Sequence, residues 1–118
     1  MTFKCIIHEP MYEHNNKKYI RIVVNPMSRN FVTHWHQKTP LNGDVRDNPL
    51  DGNILTVKVP YRYRRVLCKV EGTKPVQSLS KGDEVEADIE FMGSWHKDKY
   101  CGWSWKLKHI KFISEDIL

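Results

Sequence analysis

Asp83–Trp95 reads DEVEADIEFMGSW, and within it Val85, Ala87, Ile89 and Phe91 alternate with Glu84, Glu86, Asp88 and Glu90. A period of two belongs to extended chain, whose successive side chains point to opposite sides. The stretch therefore predicts a strand with one face in a core and an acidic face in water. Its predicted partner is Cys101–Ile113, CGWSWKLKHIKFI, where Trp103, Trp105 and Leu107 alternate with Ser104, Lys106 and Lys108. Ile110 and Phe112 resume the apolar series out of phase, so a β-bulge is expected near Lys108 and His109. The connection GSWHKDKYCG reads as a hairpin: Gly93 and Gly102 permit sharp backbone turns, Lys97, Asp98 and Lys99 form the tip, and Trp95 and Tyr100 flank it.

Working outward, further segments rich in β-branched and aromatic residues predict strands: Phe3–His8 (FKCIIH), Lys18–Val24 (KYIRIVV), Asn30–Gln37 (NFVTHWHQ) and Ile54–Val70 (ILTVKVPYRYRRVLCKV). No segment shows convincing helical periodicity. Thr39–Asn53, with two prolines and two glycines among Asn and Asp, predicts a long irregular loop. Pro60 removes a backbone donor and so predicts a break or edge position. Thr73–Gly82 is read as a turn or one short helical turn. Five or six twisted antiparallel strands must protect their edges, and closure does so most completely, so the expected fold is all-β, a single OB-like barrel over residues 1–118. An open β-sandwich is the alternative.

The chain has 118 residues, 19 Lys plus Arg against 14 Asp plus Glu, and a net charge of +5 with histidine neutral, a balance that favours polyanionic partners. Nothing approaches the roughly 18 consecutive apolar residues of a membrane-spanning helix. The start MTFKCIIHEPMYEH lacks the hydrophobic stretch of a signal peptide, so an intracellular, unsecreted protein is expected. Three widely spaced cysteines, Cys5, Cys68 and Cys101, do not fit a disulfide framework and are expected to be reduced.

The chemistry-bearing feature is Asn53–Gly72, where Lys58, Arg62, Arg64, Arg65 and Lys69 accumulate before the first acid, Glu71. Continuous alternation would set Val57, Val59, Tyr61 and Tyr63 on one face and Lys58, Arg62 and Arg64 on the other. Guanidinium groups take phosphate bidentately, and aromatic rings offer a surface on which any unpaired base can stack. A solvated edge strand whose charges discourage aggregation is the structural counterpart of that reading. His34 and His36 are placed on one strand face, with no CxxC or HExxH to complete a zinc site, and could touch phosphate or base. Trp35 lies on the opposite face, so either it is core and the histidines exposed, or the reverse. Trp105 is assigned to the core.

From Ile54 to Ile113 the chain carries a basic-aromatic strand pair VKVPYRYRRV, the strand KGDEVEADIEF, an aromatic hairpin and the final strand WSWKLKHIKFI. In this it resembles the small OB-fold single-stranded-DNA-binding proteins of phages and large DNA viruses. The resemblance implies non-catalytic, sequence-independent binding of single-stranded DNA in replication, recombination or repair, without a cofactor. The expected contacts are Lys58, Tyr61, Arg62, Tyr63, Arg64, Arg65, Lys69, Trp95, Lys97, Lys99, Tyr100, Trp35, His34 and His36, with Trp95 and Tyr100 as mobile stacking groups. RNA remains an alternative ligand, and a homo-oligomer and replication proteins are possible partners. The tip SEDIL (Ser114–Leu118) is either a partner-binding segment or an ordinary solvated terminus. Competing readings are a protein-interaction or virion module, in which exposed aromatics form the interface, and an enzyme, for which no phosphate loop or nucleophile-base pair is evident.

Overall fold

The computed structural model describes residues 1–113. Its long strand β1 (Thr2–His14) turns back into β2 (Lys17–Val23) through Asn15 and Asn16, both left-handed at φ 51° and 63°. Two left-handed residues make the turn whose twist matches a hairpin, and asparagine tolerates that conformation. After helix α1 (Pro26–Lys38) and two short strands, β3 (Val45–Asp47) and β4 (Leu50–Asp51), strand β5 (Ile54–Val59) pairs antiparallel with β2 and with β4. A two-stranded hairpin, β6 (Tyr61–Arg62) with β7 (Arg65–Val66), follows Pro60, then β8 (Lys69–Glu71), a single 3₁₀ turn at Val76–Ser78, and the long pair β9 (Glu84–Lys97) and β10 (Tyr100–Phe112).

Hydrogen bonding closes a ring. β9 pairs antiparallel with β1, and β10 meets β5 in parallel at Lys106 and Lys58, so the circuit runs β1–β2–β5–β10–β9 and back to β1. Counted in chain order, the five ring strands stand 1-2-3-5-4 with the third and fifth parallel, an OB-like barrel. β3 and β8 also lie parallel to β10, so the sheet is mixed, where antiparallel pairing alone was expected. The barrel is filled by inward residues at the expected alternation: Ile20 and Ile22, Leu55, Val57 and Val59, Val85, Ala87 and Ile89, with Trp105, Leu107 and Ile110, are all essentially inaccessible. Each buried aliphatic chain contributes about 1.5–3 kcal/mol before the entropy of ordering it. The register slips between Leu107 and His109, the expected bulge, and again between Ser104 and Trp105, beside Gly93 at φ 94°, which the alternation did not signal.

Asn30–Gln37 is helix, not strand. Asn25 caps it, its side chain accepting a bond from the Ser28 amide at 2.8 Å, and Pro26 occupies the first turn, where its missing amide costs nothing. Ser28, Val32 and His36 then fall one above another on the buried face, a spacing of four. The β-branched and aromatic content of FVTHW imitated a strand, and the cap signature NPMS was the contrary signal. Thr39–Asn53 is also less irregular than expected, because β3 and β4 lie within it. The break at Pro60 and the helical turn in Thr73–Gly82 are as the residues imply. Among the described residues no helix is long and apolar enough to cross a membrane. The SEDIL tip lies outside the described residues.

Candidate functional site

The outward faces of β2 and β5 do not carry solvated charge alone; they line a groove of about 700 Å³. Because Ile20 and Ile22 point inward, Tyr19 and Arg21 must point out, and in register beside them stand Lys58 and Thr56. β1 adds Tyr12 and His14, the first residue of β2 adds Lys17, and β9 and β10 add Trp95, Trp103 and Ser104. Asp47 and Asp51 of β3 and β4 give the groove an acidic stretch as well.

The aromatic part is ordered. Tyr12 and Tyr19 stack at 5.8 Å with planes 30° apart, and the Arg21 guanidinium, ion-paired to Glu9 at 3.4 Å, lies 5.5 Å from the Tyr12 ring centre. Trp95 precedes the tip within a strand: β9 continues to Lys97, and the indole lies across Gly102, its register partner. A Cβ on Gly102 would stand 2.7 Å from both Trp95 Cζ2 and the Asp47 carbonyl, so the position requires glycine for close approach. Trp103 donates its indole N–H to the Thr39 carbonyl at 2.7 Å and stacks on His36 at 4.1 Å with planes 5° apart.

The cationic part is unbalanced. Half-buried Lys58 makes no ion pair among the described residues, and its pKa is pushed down first by burial, then by Lys17 and Lys106. Three ammonium groups thus lie near one another, and none of the described carboxylates is paired to Lys58. An anion placed there recovers Coulombic energy that the free protein lacks.

The other expected contacts are dispersed. Tyr61 leaves the end of β5 with Lys18 Nζ 5.2 Å from its ring centre, next to the groove's Lys17. Tyr63 and Arg64 do not continue the strand alternation; they form the two-residue turn of the β6–β7 hairpin, at φ 54° and 62°, so Tyr63 is 81% exposed rather than on the face of Val57 and Val59. Arg62 and Arg65 face each other across that hairpin. Lys97, Lys99 and Tyr100 are at the β9–β10 tip, Lys99 lying 5.6 Å from the Tyr100 ring centre. Lys69 is paired to Glu71 at 3.4 Å on β8 and does not line the groove.

The histidines move most. Helical steps of about 100° separate the two that alternation had put together. His34 is exposed, Trp35 is half-exposed against Phe91 at 5.6 Å, and His36 is buried at 6%, accepting the Trp105 indole N–H on Nε2 at 2.9 Å. His36 is therefore a core residue, and the expectation of a surface contact there is corrected. Trp105 is core as expected. Among the described residues, no three His, Cys, Asp or Glu are gathered as a metal-holding group.

Tyr12, Lys17, Tyr19, Arg21 and Lys106 were missed as candidates. The signal was present: the Asn-Asn turn marks a hairpin, and in KYIRIV the polar members of the alternation are the outward ones. Compared with protein-family models, curated proteins and solved structures, the chain finds no match.

Proposed function

We propose that this protein binds a single strand of nucleic acid, without catalysing a reaction, along the groove of β2 and β5. The observation that carries the reading is the coincidence, in one concave surface, of Lys17 and Lys58, the latter without an ion-pair partner among the described residues, with the aromatic faces of Tyr12, Tyr19 and Trp95, while Lys106 stands in register with Lys58 on β10. Phosphates meet the ammonium groups and release counterions; bases stack on rings that accept any base. OB barrels bind oligonucleotides on this same second-and-third-strand face. Among the described groove-lining residues, the Asn48 amide oxygen accepts from the Leu50 N–H and the Arg21 guanidinium is paired to Glu9, which leaves little for reading base edges, so little sequence preference is expected. On this reading the protein would act inside the cell, in replication, recombination or repair.

Tryptophan fluorescence titrated with single-stranded DNA, single-stranded RNA and duplex at two salt concentrations tests it. Quenching by single strands that weakens steeply with salt is expected, since each phosphate contact adds about 0.7 to the logarithmic salt slope. Tighter binding to duplex than to any single strand, or no binding at low salt, would sink the proposal and leave a protein-interaction module as the better reading. Tighter RNA than DNA binding would assign the groove to RNA.

A further inference from the structure

The β6–β7 hairpin is built unlike the groove. Its two strands pair with each other and with no third strand among the described residues, with Val66 packed on the core and Tyr63 at the turn exposed. Tyr63 and Arg64 at its turn are left-handed although neither is glycine, asparagine or aspartate, the residues that adopt this conformation cheaply. The Asn15–Asn16 turn of the same type shows the ordinary choice. The strained pair puts Tyr63 at the tip, 81% exposed, with the Arg62 guanidinium 4.9 Å from its ring centre. Arg62 and Arg65 stand directly opposite, a like-charge pair that destabilises the free hairpin, and neither they nor Arg64 has an ion-pair partner among the described residues. The hairpin is tied back at its base by Leu67 N–H donating to the Pro60 carbonyl at 2.8 Å. It leaves the barrel where Lys18 meets Val59, at the Lys17 and Lys58 region of the groove.

A flat ring on an exposed turn outside the groove, with cations around it, is not placed to stack within a strand lying in that cleft. It matches a flat end. We infer that the hairpin is a platform for the terminal base pair of a duplex whose single-stranded tail lies in the groove. Tyr63 stacks on that pair, and Arg62, Arg64 and Arg65 meet phosphates of both strands at the junction. The inference rests on the groove reading and adds the substrate class: a single-strand–duplex junction rather than a uniform strand.

Fluorescence anisotropy with three DNA probes tests it: an oligothymidine strand, a duplex alone, and that duplex carrying the oligothymidine as a tail. The tailed duplex should bind about ten-fold tighter than the bare strand, the scale of one base-stacking contact. Tyr63→Asn suits the turn better than tyrosine while deleting the ring, so it should abolish this gain and leave bare-strand affinity unchanged. Tyr63→Trp should keep the gain. Equal wild-type affinity for tailed and bare strand overturns the inference, as does Tyr63→Asn weakening both probes alike. If the bare strand is not bound, or Lys58→Met leaves its affinity intact, the groove reading falls and the junction proposal with it. Loss of the tail preference alone removes only the latter.

Discussion

Trp105 Nε1–H is satisfied only while the His36 nitrogen facing it carries no proton. The imidazole lies in a stack with Trp103, and burial pushes its pKa from 6.5 down to about 4. In the unfolded chain the same residue gains its proton near 6.5. Between these values the unfolded state binds more protons, so stability present above pH 6.5 is lost as pH falls toward 4, by about 3 kcal/mol at most. Urea melts at pH 7 and pH 4.5 should show the loss. His36→Gln, which keeps an acceptor for the indole but does not titrate, should flatten the dependence; an unchanged slope in that variant would remove His36 as its source. Lys58 argues in the opposite direction. Its charge is disfavoured by burial and by Lys17 and Lys106, so Lys58→Met should leave melting temperature unchanged or raised. The same change should weaken single-strand binding at every sequence and reduce the salt slope by about one phosphate contact. A variant that melts lower and binds as before would show the lysine to be structural.

Elements set the groove's shape through close contacts between strands. At Gly102 the β10 backbone touches both the Trp95 indole on β9 and the Asp47 carbonyl on β3. Gly102→Ala cannot keep both, and the Asp47 contact is with backbone rather than a flexible side-chain end. It is therefore expected to detach β3, shift Trp95, lower the melting temperature and blunt tryptophan quenching by DNA, all read in one titration series. An alanine variant with wild-type quenching would mean that Trp95 is not a groove surface. Trp105, by contrast, joins β10 to helix α1: its ring is 1% exposed and lies 5.9 Å from Phe31 and 4.9 Å from Phe91. Trp105→Ala should destabilise the fold by about 3–5 kcal/mol, the usual penalty for a buried aromatic, measured by equilibrium denaturation. Retained stability with lost binding would reverse the faces of β10.

At the scale of the whole molecule, closure of the strand ring puts Cys5 of β1 in the barrel interior, where burial pushes its thiol up to about 12. Cys5 should therefore resist alkylation in the native protein and be modified at a rate set by global opening, as mass spectrometry of partially labelled samples would show. Labelling at the rate of an exposed thiol under native conditions would contradict the closed barrel. The sequence by itself determined the strands and their inward faces, because a period of two in Val85–Phe91, in Leu55–Val59 and in Trp105–Leu107 leaves no other way to bury the apolar members. It also marked the break at Pro60 and the bulge after Leu107, which are local backbone chemistry. It misassigned Asn30–Gln37, since strand propensity there competes with a cap at Asn25, five residues upstream, and the outcome depends on packing against Phe91, Trp103 and Trp105. Only the tertiary structure decided the site. A groove is made by residues distant in the chain: Tyr19 and Lys58 become neighbours because β2 pairs with β5, and Lys106 joins them because the ring closes in parallel. No local pattern around any one of them records that meeting.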